Sequence, residues 1–296
     1  MIGLLGPLIE PGFFANDAVR TALAVGSISA VVSAIVGTFT VIRGQSFAGH
    51  SLSDIGAAGG AAAYLVNVNP LWGFTAMNLV AAGAMELMGI RRPRGRDVAT
   101  GIVLAACLGL SALFLYWDTT WTSHNNATFS VLFGSIFELT PGLVPWIGGL
   151  GAAAVALVGL LYRPLLLSSL NSDLAAARGV AVRLVGLGFL GALALAVSLS
   201  AITIGAILST ALLIGPAATS LRVAKSTGIA IALATATGLV TVWLAILFAY
   251  DSAVWTTWNW PVSFFVVTLS FISYVVVDNV VALRSRRGWR AGVRTA

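Results

Sequence analysis

Long stretches without charge dominate this sequence: no ionisable side chain occurs between Thr21 and Ile42, and none between Leu184 and Leu221. A soluble chain has no way to bury that much apolar surface. Of 296 residues, 58% are hydrophobic and 9% are charged, against about a quarter charged in soluble domains. With a mean hydropathy of +0.97, the chain reads as an integral membrane protein. Cytosolic enzymes, disordered tails and disulfide scaffolds are excluded. The single cysteine, Cys107, lies in an apolar run and leaves no internal disulfide and no Cys-cluster metal site. The net charge of +6 does not point to nucleic acid, because the arginines stand at the ends of apolar segments, where they set topology.

The apolar segments number about nine (eight to nine): about 18–42, 47–66, 71–89, 98–117, 141–162, 183–200, 202–221, 228–249 and 261–283. Each is close to the ~20 residues a helix needs to cross hydrocarbon. Period-two alternation is absent, so a β-barrel is excluded. The 32 glycines suit close helix packing in lipid. The expected fold is all-α: a polytopic helical bundle forming one transmembrane domain over 1–296.

Basic residues orient it. Arg43, the cluster Arg91, Arg92, Arg94 and Arg96, then Arg163, Arg178, Arg183, Arg222, Lys225 and the tail over 284–296 fall on one side; Arg20 alone falls on the other. Fifteen of the sixteen positive charges on one face make that face cytoplasmic. The N-terminus is then outside and the C-terminus inside. Trp117 to Trp121 and Tyr250 to Trp260 read as aromatic belts of the outer loops. Residues 129–139 are apolar but too short to cross, which suggests a re-entrant or interfacial helix on the outer side. Met1 to Ile9 carry no positive charge and do not form a signal peptide. No internal repeat is evident.

Ionisable groups inside spans are costly and point to function. His50 and Asp54 stand four apart in the second span, on one helix face. Imidazole nitrogen with carboxylate oxygen suits zinc, manganese or iron. Two ligands do not complete a shell, so others come from another helix, from water or from a second copy of the chain. The plainer alternative is a hydrogen-bonded pair packing two helices. Glu86 and Asp278 lie near Arg91 and Arg284, as snorkelling or local pairing would have it. His124 belongs to an outer loop, Asn126-Ala127-Thr128 fits a glycosylation acceptor, and Asp118 and Glu138 read as outer-surface residues.

Two segments look mechanical. Within 168–182, Asn171, Ser172 and Asp173 are N-cap residues, Ala175 to Ala177 favour helix and Gly179 suits a stop. A short cytoplasmic helix is expected, either as a plain surface loop or as a docking element for a soluble partner. In the seventh span Gly205 and Ser209 are spaced for close packing, and Pro216 is expected to kink the helix. The only lysine, Lys225, has no phosphate-binding loop around it. Any ATP-driven work therefore needs a separate nucleotide-binding chain, and the chain itself is not expected to be an enzyme.

The run Phe39-Thr40-Val41-Ile42-Arg43-Gly44-Gln45-Ser46-Phe47-Ala48-Gly49-His50-Ser51-Leu52-Ser53-Asp54 resembles the signature of the metal-ion permeases of ABC transporters, the zinc/manganese/iron importers. So does the run from Ile204-Gly205-Ala206 to Gly215-Pro216-Ala217-Ala218-Thr219. Asp173 to Gly179 matches the family's cytoplasmic coupling helix in place and composition, and Leu132-Phe133-Gly134-Ser135-Ile136 resembles another of its elements. The likeness covers about residues 18 to 283. Two departures stand out: many members carry Asp before His in the second-span motif, the reverse of His50 and Asp54, and the aspartate common after Leu-Phe-Gly is Ser135 here.

The resemblance implies a permease of the cytoplasmic membrane that dimerises and joins two ATPase subunits. It implies an extracytoplasmic binding protein that delivers the ion, and alternating access around His50 and Asp54. It also implies docking of the ATPase by Asn171, Asp173, Ala176 and Gly179. The metal is substrate, and no permanent cofactor is implied. Two other readings compete. One is a permease for a chelated metal or vitamin, which needs no inward-facing His/Asp pair. The other is a stand-alone cation-coupled secondary transporter, which needs inverted repeats. A membrane hydrolase is disfavoured by the lack of a Gly-x-Ser-x-Gly element.

Overall fold

A computed structural model of the chain describes the backbone of residues 13–87, 93–122, 126–256 and 260–293, with side chains for 13–86, 100–121, 126–252 and 260–283. Met1 to Ile9, the side chains of Arg91 to Arg96, His124, Trp255, Trp258 and the side chains of the basic tail lie outside the described residues. Among those residues the regular structure is helical throughout. The helices are α1 (Asp17–Ile42), α2 (Ser46–Leu65), α3 (Pro70–Leu87), α4 (Pro93–Trp117), α5 (Ala127–Phe133), α6 (Val144–Leu160), α7 (Tyr162–Leu170), α8 (Ser172–Ala177), α9 (Val182–Ile204), α10 (Ser209–Leu221), α11 (Thr227–Thr256) and α12 (Val262–Val293).

Local chemistry sets several of the starts. Asn16 caps α1 by accepting from the Ala18 N–H at 2.9 Å, and Asp17 adds a negative charge in the first turn. Asn69 does the same for Leu71 at 3.0 Å, just ahead of Pro70, whose missing N–H costs nothing at a first helical position.

The centre of the bundle is α9, packed against by α1, α2, α3, α6 and α10. Its buried side sets Ala192, Ala194, Ala196, Ser198, Ser200 and Ala201 among larger apolar side chains, and the small residues let neighbouring backbones approach. Hydroxyls then join the helices: Ser33 and Ser200 pair at 2.7 Å, and Asn78 Nδ2 donates to Ser198 Oγ at 2.9 Å. The α2–α3 hairpin is tighter still. A methyl added at Gly59 would lie 2.2 Å from the Gly73 carbonyl oxygen, so the two backbones touch. Outward, Ile102, Leu160, Val240 and Phe271 are exposed, a surface suited to lipid.

Six helical stretches among the described residues are long and apolar enough to span a membrane: Asp17–Ile42, Thr100–Trp121, Pro141–Leu160, Val182–Ile204, Thr227–Ser252 and Val262–Leu283. The α2 and α3 helices have 20 and 18 residues.

Several expected boundaries shift. The segment 202–221 is not one helix: α9 runs on to Ile204, the chain breaks over 205–208, and α10 is a 13-residue piece from Ser209. The reason is that Gly205, at φ +92°, leaves helical space. Pro216 stays inside α10, which remains helical to Leu221. The outer segment 129–139 is helical only to Phe133, because Gly134 at φ +82° ends it. Asp251 lies in α11 and is buried, not in an outer loop. Asp118, expected at the surface, is fully buried where the turn after α4 packs on α2.

Candidate functional site

The turn Arg43-Gly44-Gln45 launches α2, with Gly44 at φ +62°, and fixes the rotation of the helix that carries His50 and Asp54. One turn apart, His50 Nε2 and Asp54 Oδ2 lie 3.6 Å from each other, with side-chain exposures of 47% and 14%. That separation matters. With both atoms at the ~2.0–2.2 Å typical of zinc, the angle at the cation would be about 110–130°, from tetrahedral to somewhat wider. Asp54 borders a cavity of about 440 Å³ whose walls come from α2, α4, the turn after α4, α5 and the break before α10. Ser111, Tyr116, Thr119 and Thr128 supply its hydroxyls, and Asp54 is the one carboxylate among the described lining residues. His50 is not part of that wall. It stands half-exposed beside it, with Nδ1 3.2 Å from Thr210 Oγ1.

The interruption between α9 and α10 forms the cavity floor through Ala206 and Ile207. Non-helical backbone at membrane depth is tolerated where protein or a wet cavity satisfies it. Here the Ala206 N–H donates to the Val131 carbonyl at 2.9 Å, while Ser53 Oγ bonds both the Ala206 carbonyl and Ser209 Oγ. Gly134 and Gly205 meet at this joint. A methyl on Gly205 would fall 2.2 Å from the Leu132 carbonyl oxygen, and one on Gly134 2.5 Å from that of Thr203. The two apolar motifs singled out in the sequence, around Leu132-Phe133-Gly134 and Ile204-Gly205-Ala206, are therefore packed against each other beside Asp54. Ser209 is the first residue of α10 and acts by hydrogen bonding to Ser53, not only as a small packing residue.

Near the end of the bundle that holds Arg43, Asn171 accepts from the Asp173 and Leu174 N–H groups at 3.0 and 2.9 Å. The helix closes with Val180 N–H on Ala175 O and Gly179 N–H on Ala176 O, with Gly179 at φ +80°: a Schellman stop. Asn171, Asp173, Ala176 and Gly179 are all exposed, while Ala175 is fully buried against the bundle. Arg43 reaches Ser168 and Ser169 on α7 at 3.0 and 3.3 Å. Asp278 pairs with Arg222, the residue that follows α10, at 3.1 Å; Arg284 lies beyond the residues whose side chains are described. Glu86 sits against Gly186 of α9. Ser135, where the resembled pattern has an acid, lines a smaller cavity of about 130 Å³ with Tyr64, Ser130 and Glu138.

Reading along the sequence misses Ser53, Thr128 and Thr210 as site residues. Ser53 adjoins Asp54 and Thr210 adjoins Ser209, but single hydroxyls in apolar helices more often bond their own backbone.

A bundle of apolar helices, one of them interrupted beside a mostly apolar cavity that Asp54 borders, defines an integral membrane protein. The profile of the ABC 3 transport family matches residues 15–277, and the chain belongs to that family. It is a multi-pass permease of the cytoplasmic membrane. It is similar to the manganese transport system membrane protein MntC of Listeria innocua, at 28% identity over 244 residues covering 82% of this chain and 84% of that one. It is also similar to the high-affinity zinc uptake system membrane protein ZnuB of Haemophilus influenzae, at 28% identity over 69% of this chain and 77% of that one. Its fold is shared with PsaBC from Streptococcus pneumoniae, solved in complex with Fab, with a TM-score of 0.77, 24% identity and coverage of 90% and 92%.

Proposed function

We propose that this chain is the membrane subunit of an ATP-driven importer that moves a divalent transition-metal ion, manganese or zinc and by ligand chemistry also iron, by alternating access. The observation that carries the reading is the His50–Asp54 pair, 3.6 Å apart and beside a cavity. Nitrogen and oxygen donors at that spacing suit all three ions. The names of the relatives, manganese transport for MntC and zinc uptake for ZnuB, support the substrate class.

In this reading residues 1–296 form one transmembrane domain of nine spans, outside at the N-terminus and cytoplasmic at the C-terminus. The charge asymmetry supports that orientation. The chain has no nucleotide loop of its own, so two ATPase subunits supply the hydrolysis, docked through Asn171, Asp173, Ala176 and Gly179. An extracytoplasmic binding protein delivers the ion, and a second copy of the chain completes the pathway. The half-exposed His50 leaves ligand positions open to that copy or to water. Gly205 at the break, and Ser209 and Pro216 on α10, belong to the pathway segment whose movement opens one side or the other.

The test is the double variant His50→Ala with Asp54→Ala, assembled with its ATPase and measured for uptake of manganese and zinc ions. Uptake is expected to vanish while the complex still purifies intact. Undiminished uptake would remove the pair from the route.

A further inference from the structure

A neutral imidazole carries one proton, so its two nitrogens cannot both offer a lone pair. For His50 to bind a cation through Nε2, the atom that faces Asp54, the proton must sit on Nδ1, and a buried or half-buried N–H needs an acceptor. The atom in that place is Thr210 Oγ1, at 3.2 Å. We propose that Thr210 is a positioning residue of the ion site: its hydroxyl accepts the Nδ1 proton of His50, which fixes the ring rotation and the tautomer that leaves Nε2 open to the cation. The inference rests on the reading of His50 and Asp54 as cation ligands.

The placement of Thr210 supports this role over a simple bridge between helices. It is the second residue of α10, immediately after the interruption. The neighbouring Ser209 already staples α10 to α2 through Ser53, so the register of the two helices does not depend on Thr210. What Thr210 adds is a contact to a single atom of one side chain, on the edge of the imidazole away from Asp54. The hydroxyl also belongs to the helix that follows the break, so a shift of α10 against α2 would remove the acceptor and loosen the ring at the moment the ion leaves.

Two measurements test it. In the assembled transporter in proteoliposomes, Thr210→Val is expected to raise the half-saturating concentration of zinc or manganese ion about tenfold, with the maximal uptake rate retained, while Thr210→Ser stays within about twofold of the original. A second readout is independent of rate. The chain has two histidines, so full-length protein with His124→Gln and 15N-labelled histidine gives the resonances of His50 alone. Loaded with zinc ion, it is expected to show a protonated Nδ1 and a metal-bound Nε2, and Thr210→Val to show mixed tautomers.

A metal-bound Nδ1, or an unchanged half-saturating concentration in Thr210→Val, overturns the proposal. So does an equal loss in the Val and Ser variants. If His50→Ala with Asp54→Ala abolishes uptake and Thr210→Val does nothing, the positioning role alone fails. If the double variant transports normally, the ligand assignment beneath it fails too.

Discussion

Arg43 donates from its guanidinium to Ser168 Oγ at 3.0 Å, so one side chain ties the turn that starts α2 to the helix that leads into α8. The same group also lies over the Phe189 ring of α9, 5.3 Å from its centroid, an arrangement that suits a planar cation. His50 follows about one turn into α2. In the proposed function a displacement of α8 and α7 would reach, through Arg43, the base of the helix that carries His50 and Asp54.

Replacing Arg43 by Met should uncouple the two ends. ATP hydrolysis by the assembled complex is expected to continue, while metal ions moved per ATP fall at least about fivefold, the low end of a usual coupling. Arg43→Lys is expected to recover only part of the coupling, because a compact ammonium can reach the two hydroxyls that Nη1 bonds but does not lay a planar cation over the Phe189 ring. Parallel assays of hydrolysis and uptake decide it; an unchanged ratio would break the proposed link.

Gly205→Ala should destabilise the fold. The residue has φ +92° and ψ 156°, a region almost reserved for glycine. Its strain alone costs about 1–3 kcal/mol, before the contact with the Leu132 carbonyl is counted. Gly83 of α3 makes the control: a methyl there meets nothing within 4 Å, and helical alanine gains about 0.5–1 kcal/mol over glycine. Thermal unfolding in detergent is expected to move down for the first variant and stay level or rise for the second. Equal midpoints would contradict the close approach at the joint.

Asn171→Ala should fray α8. Six residues do not hold a helix by themselves, and loss of an N-cap costs about 1 kcal/mol. Gly179→Ala should act on the other end by straining the left-handed stop. Each is expected to lower transport more than the intrinsic hydrolysis of the ATPase subunit. Full transport by both variants would show that α8 is an ordinary surface turn.

The apolar helical bundle was legible because apolar runs admit few structures in lipid, though six stretches among the described residues are long and apolar enough to span; the ends of α8 were legible because Asn171 and Gly179 each act within one turn of chain. The interruption after Ile204 was not. Gly205-Ala206-Ile207-Leu208 continues the apolar composition without a gap, and what breaks the helix there is tertiary: the α5 loop that takes up the freed backbone and the glycine that lets it approach. Asp118 misled for a similar reason, since its burial depends on α2 packing over the turn. The His50–Asp54 spacing was readable as one helix face; the cavity beside Asp54 and the hydroxyl behind His50 come from elements far away along the chain.

The bond from the Ala206 N–H to the Val131 carbonyl is made by main chain on both sides, so it is blind to which side chains stand at those positions. Substitutions at Ile207, half-exposed and lining the cavity, are thus free to remodel the wall beside Asp54, in size or in polarity, without cutting the attachment of α5. A lineage with this architecture holds a lining it is able to retune for a different ion, mounted on a hinge that such retuning leaves untouched.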